Sequence, residues 1–224
     1  MLLAQITVTA VLLSAASPTQ SATGIPLDAP WKVTIYELAQ SKFHHPAWGW
    51  QHSERNYQVA LVLARGDGLR VDTDVLFAAA FLHDMAAFMP CRDAKMEHGE
   101  CAAQQSGDIL RAAGFPMSKL PVVLAAERGH MYYSNPGTQP EAIVLHDADS
   151  LDFLGAIGAA RMISLTGEHV ESFARAVKAL RSFLHDIPPR LITKTAQQIG
   201  EQRAGELERF LDALQTETFN GKAM

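Results

Sequence analysis

Beyond residue 30, apolar positions recur at intervals of three and four almost to the end of the chain, the spacing that lines one face of a helix. Trp31–Phe43 carries such a stripe and stops at His45–Pro46, where proline steers the residue before it out of helical geometry. Ser53–Ala64 continues with Tyr57, Val59, Ala60, Leu61 and Leu63, and gives way at Gly66 and Gly68. Asp72 or Thr73 is placed to cap the next helix, whose apolar run Val75–Leu82 leads into His83–Asp84. A helix over Glu97–Ala113 halts at Gly114, and another from Pro116 to about Arg128 halts at Gly129. Ser134-Asn135-Pro136-Gly137 is a turn signature. Pro140–Thr166 predicts one long helical stretch, with Gly155 and Gly158 spaced for close packing against a neighbour. Val170–His185 and Leu191–Glu217 follow, parted by Pro188–Pro189. No strand signal, repeat or low-complexity tract interrupts the pattern. It predicts an all-α protein, a single compact bundle of seven to eight helices over residues 31–219, with a tail at 220–224.

The N-terminus follows a different pattern. Leu2 to Leu13 is nearly continuous and apolar, and small polar residues follow through Ala22, as in a secretory signal. A signal peptide over 1–22 is expected, cleaved after Ala16 or Ala22, with a Gly/Pro-containing linker over 23–30. The apolar run is shorter than the roughly 20 residues a membrane span needs, so no span is expected in the mature chain. Export to the periplasm or beyond follows; if the run is not a signal, the location is cytoplasmic. In an exported protein Cys91 and Cys101 are close enough in sequence to pair, whereas in the cytosol they stay free thiols. A net charge of −5 gives no support for binding a nucleic-acid polymer or an anionic membrane.

Candidate chemistry lies in the histidines and aspartates. Three His-Asp pairs occur, His83–Asp84, His146–Asp147 and His185–Asp186, where chance alone predicts about half a pair. His185–Asp186 sits before Pro188–Pro189 at a helix end and reads as a surface cap. His83–Asp84 closes an apolar helix, so an imidazole and a carboxylate leave the core together about a hundred degrees apart. Upstream lies His52 in Gln-His-Ser-Glu-Arg; downstream lie His98, His130 and Asp147-Ala-Asp149-Ser-Leu-Asp152.

With these residues the chain resembles the HD-domain superfamily of metal-dependent phosphohydrolases, and within it the small bacterial hydrolases similar to nucleotide pyrophosphohydrolases. The likeness extends to the text around the pairs: His52-Ser-Glu-Arg55, Ala79-Ala80-Phe81-Leu82-His83-Asp84, and Asp147 through Arg161. The resemblance implies that His52, His83, Asp84 and Asp149 hold a metal, with Asp149 preferred over Asp147 for its Ala-Asp-x-Leu setting. It makes Asp147 and Asp152 outer carboxylates that orient imidazoles or cap helices. His98 and His130 fall where some members bind a second ion and others touch phosphate.

Two imidazoles and two carboxylates suit a divalent ion among Mn, Fe, Mg, Ni and Zn, with one or possibly two ions bound. Arg55, one helical turn from His52, is the best candidate for phosphate charge; Arg92, Lys95 and Arg128 are weaker ones. His44 and His45 read as an entrance loop or plain surface, His146 as packing beside Asp147, and His169 as a surface helix start. Trp48, Trp50, Tyr132 and Tyr133 read as packing, with stacking on a substrate ring as the alternative. The implied activity is a metal-dependent phosphohydrolase that uses a metal-activated water on a nucleotide or other small phosphate ester or anhydride. Two alternatives remain open: a di-iron oxygenase built on His52, His83, Asp84, His98, His130 and Asp149, and a non-catalytic binding domain that keeps the fold.

Overall fold

The computed structural model describes residues 18–91, 93, 95–167 and 172–223, so the apolar run Leu2–Leu13, Arg92 and His169 lie outside the described residues. Nine α-helices and three single 3-10 turns make up the described chain, and it contains no strand beyond an isolated bridge between Gln20 and Pro26. In order they are α1 (Pro30–Lys42), α2 (Trp50–Gly66), α3 (Thr73–Leu82), α4 (His98–Ala113), α5 (Leu120–Gly129), α6 (Pro140–Leu151), α7 (Gly155–Gly167), α8 (Phe173–Asp186) and α9 (Lys194–Glu217). Among the described residues no helix is long and apolar enough to cross a membrane.

The centre of the molecule is α3. Asp72 caps it, accepting from the Asp74 and Val75 amides at 3.0 and 3.4 Å. Every residue from Val75 to Leu82 is buried, because α1, α2, α5 and α6 pack around it. A helix without a polar face loses nothing by complete burial, and its end is therefore delivered into the interior. His83 is fully buried at that end.

Two expectations about organisation change. The stretch 23–30 is not a loose linker: Ile25 and Leu27 are buried in the main core, and the Ala22 amide donates to the Tyr36 hydroxyl at 2.9 Å. The long helix expected over Pro140–Thr166 is two helices, broken at 152–154. Gly155 adopts φ of +67°, a conformation that strains any residue with a Cβ. Gly155 and Gly158 thus serve this reversal: a Cβ on Gly158 would lie 2.2 Å from the Phe153 carbonyl oxygen, and one on Gly155 would press on Arg203. The break turns Asp152 out of helical register and towards α2.

Cys91 and Cys101 form a disulfide, tying the loop after α3 to the first turns of α4. At the second residue of α4, Gly99 lets that helix approach the end of α5, since a Cβ there would meet the Glu127 carbonyl oxygen at 2.5 Å. The two devices bring His98, the first residue of α4, beside His130 at the end of α5.

Candidate metal centre

Six residues from five helices converge. His52 lies on the first turn of α2, His83–Asp84 at the end of α3, His98 at the start of α4, His130 just after α5, and Asp149 on the last turn of α6. His52 Nε2 lies 3.1 Å from Asp149 Oδ1, 3.3 Å from Asp84 Oδ2 and 3.3 Å from His83 Nε2. His83 Nε2 lies 3.5 Å from Asp84 Oδ2 and 3.9 Å from Asp149 Oδ1. On the other side of Asp84, Oδ1 is 2.9 Å from His98 Nε2 and 3.7 Å from His130 Nε2.

This spacing fits a divalent ion. Ligand atoms about 2.1 Å from an octahedral ion stand about 3.0 Å apart when adjacent. Two triads bring their ligand atoms within 4.8 Å of one another, His52–His83–Asp149 and His83–Asp84–His130, with His83 common to both. The ring nitrogens are also prepared by their far sides. His83 Nδ1 donates to the Ala80 carbonyl at 2.9 Å and His130 Nδ1 to that of Glu127 at 2.6 Å, which turns both Nε2 atoms inward. His130 Nε2 is buried with no hydrogen-bond partner among the described residues, a cost that a bound ion would remove. Which residues ligate is taken up below as a proposal.

His52 has the most elaborate support. Its Nδ1 donates to Asp152 Oδ2 at 2.6 Å. Asp152 is in turn held by Arg55, through Nη2 at 2.8 Å and Nε at 3.1 Å, and by Arg161 Nη1 at 3.1 Å. Burial and Arg161 work against charge on His52, yet Asp149, Asp152 and Asp84 outweigh them and push its pKa up to about 10. Burial likewise opposes charge on Asp84, and His83, His52 and His98 hold its carboxyl well below the usual carboxylate range. His130 behaves oppositely: burial and the neighbouring His83 push it down to about 4, so it is neutral across the physiological range.

The remaining expected residues spread out. Asp147 does not face this cluster; it accepts from the Ile192 and Thr193 amides and the Thr193 hydroxyl, joining α6 to the start of α9. His146 is buried beside it. His185 and Asp186 contact each other on the surface. Arg128 pairs with Glu100 on the surface and Lys95 is exposed, so neither reaches the cluster. Trp50 packs edge-on against Tyr36, whereas Trp48 stacks on His45 and lines a cavity that Asp84, His98 and Asp149 also line. Sequence reasoning missed two residues here. Asn56, one turn after His52, donates to Asp149 Oδ1 at 3.3 Å, and its i+4 spacing was the available signal. The clamp of Arg161 on Asp152 had no such signal, because it depends on the break at Gly155.

A model of the HD domain matches residues 49–154, the segment that carries all six residues. Residues 49–154 are an HD domain. Solved structures share the fold. A Lactobacillus plantarum protein superposes with a TM-score of 0.66 at 23% identity, over 84% of this chain and 96% of that one. A predicted HD-superfamily hydrolase from an uncultured Thermotogales bacterium gives 0.59 at 24% identity, over 82% and 90%. Bacillus subtilis YpgQ, solved in complex with ADP, gives 0.63 at 19% identity, over 83% and 97%. No curated protein matches the chain significantly by sequence.

Proposed function

We propose that this HD-domain protein is a metal-dependent phosphohydrolase, with His52, His83, Asp84 and Asp149 as the ligands of one divalent ion. The observation that carries the reading is the convergence of the His52 and His83 Nε2 atoms, 3.3 Å apart, each lying 3.1–3.9 Å from a carboxylate oxygen of Asp84 and of Asp149, beside the unpartnered Nε2 of His130. A divalent ion there supplies a Lewis acid that draws charge from a phosphoryl oxygen and makes water a nucleophile at neutral pH. Asp152 fixes the tautomer and orientation of His52. His98, which lines the cavity and whose pKa Asp84 raises against the effect of burial, is placed to give its proton to the departing oxygen. Arg55, fastened to Asp152, adds positive charge nearby. The ADP complex of YpgQ supports a phosphorylated substrate for this fold.

The test is phosphate release from a panel of nucleotides and phosphomonoesters with Mn²⁺, Fe²⁺, Mg²⁺, Ni²⁺ or Zn²⁺ restored. His83→Ala is expected to lose at least about a hundred-fold in rate, and absence of release with every ion and ester would defeat the proposal. The closeness of His98 and His130 to Asp84 Oδ1 favours room for a second ion, the arrangement that the oxygenase reading also needs. Two irons per chain with O₂ uptake and no phosphate release would establish that reading instead.

We also propose that the chain is exported. The Cys91–Cys101 disulfide supports this, since such bonds persist in oxidising compartments. Cleavage after Ala16 would leave the buried Ser21 in place, whereas cleavage after Ala22 would remove it and its contact with the Ile25 amide.

A further inference from the structure

Asp84, His98 and Asp149 form one end of a cavity of about 430 Å³. Its other walls include Trp48, Met131, Phe153, Met162 and Phe183. Arg161 is the one lysine or arginine among the lining residues, and its charge is already committed. Its Nε donates to the Ala47 carbonyl, its Nη1 donates to the Asp152 carbonyl at 2.9 Å and pairs with the Asp152 carboxylate, and its guanidinium lies over the Phe153 ring. Arg55, the other basic side chain near His52, opens onto a separate cavity with His44 and His45.

This distribution of charge separates substrate classes. A di- or triphosphate carries negative charges beyond the phosphoryl group at the ion, and in this cavity they would lie against apolar walls with no uncommitted lysine or arginine among the described residues, at a large desolvation cost. An apolar group in the same place is stabilised by leaving water. We propose, resting on the phosphohydrolase reading, that the substrate is a phosphomonoester of an apolar, ring-sized alcohol whose body fills the pocket of Trp48, Met131, Phe153, Met162 and Phe183. In the reaction the water oxygen bonds to phosphorus and the bond from phosphorus to the ester oxygen breaks. That oxygen keeps the electron pair and takes a proton, so the products are inorganic phosphate and a neutral alcohol.

The test is isothermal titration of the Mn²⁺-reconstituted protein with three non-hydrolysable probes: benzylphosphonate, methylphosphonate and the methylene-bridged analogue of adenosine diphosphate. Benzylphosphonate is expected to bind at least about ten-fold more tightly than either of the others. In Phe183→Ala its advantage over methylphosphonate should fall below about three-fold, with metal content and circular dichroism unchanged, and Phe183→Leu should retain most of it. Equal binding of the two phosphonates, or tighter binding of the diphosphate analogue, would overturn the inference while phosphate release in the ester screen kept the hydrolase reading standing. Failure of every probe to bind, together with no release from any ester, would overturn both.

Discussion

His52 stands between three carboxylates, and its charge state links the metal-free site to metal binding. With its pKa pushed up to about 10, the ring is protonated at neutral pH, and its Nε2 must lose that proton before it can bind an ion. Metal binding at pH 7–8 is therefore expected to release about one proton per ion from His52, and affinity should rise with pH up to about 10. Calorimetry in buffers of different ionisation enthalpy measures that proton directly, and a buffer-independent heat would contradict it. Asp152→Asn removes the negative charge that holds His52 and should weaken metal affinity by roughly 10–100-fold, read by competition with a chelator. It also leaves Arg161, which is 2% exposed, facing a neutral amide, so the variant should be less stable as well. At this scale the His83–Asp84 pair was legible from the apolar helix it closes, whereas His52 and Asp149 were singled out through the family resemblance. Asp152 was expected only as an outer carboxylate, and its specific duty towards His52 became visible through a 2.6 Å contact spanning a hundred residues of chain.

Among the elements, the break between α6 and α7 matters most. Apolar periodicity runs through Pro140–Thr166 without interruption, because both halves bury a face, so the pattern alone predicts one helix. Gly155 at φ +67° decides otherwise, and its effect is to swing Asp152 towards His52 and place Arg161 behind it. Gly155→Ala should cost roughly 1–3 kcal/mol in chemical denaturation and reduce metal affinity through Asp152. A variant as stable and as tightly metal-bound as the parent would show that the break does not position the site. α3 illustrates the opposite case: an uninterrupted apolar run capped by Asp72 was readable in full, since burial on every side leaves its mark on every residue. Leu82→Ala, at a fully buried position next to His83, should lose roughly 2–5 kcal/mol.

For the whole molecule, the disulfide closes the loop between the His83–Asp84 pair and α4. A bridge over ten residues of separation is expected to stabilise by roughly 2–3 kcal/mol through the unfolded chain. Adding reductant should then lower the melting temperature by about 5–10 °C, and a Cys91→Ala/Cys101→Ala variant should show no response to reductant. An unchanged melting temperature would mean that the bond forms no part of the folded protein's stability.

Taken by itself, the sequence determined the helical class, most helix ends, the central apolar helix and the His83–Asp84 pair at its end. Each leaves a local signature: a period, a cap, a glycine or a dipeptide. Only the tertiary structure decided that Asp147 turns away to α9, that Asp152 turns in, that His98 and His130 meet at Asp84, and that the cavity beyond them is walled by apolar side chains. Those outcomes depend on how helices distant in sequence pack together, and one backbone reversal at Gly155 redirects side chains whose periodicity is unchanged.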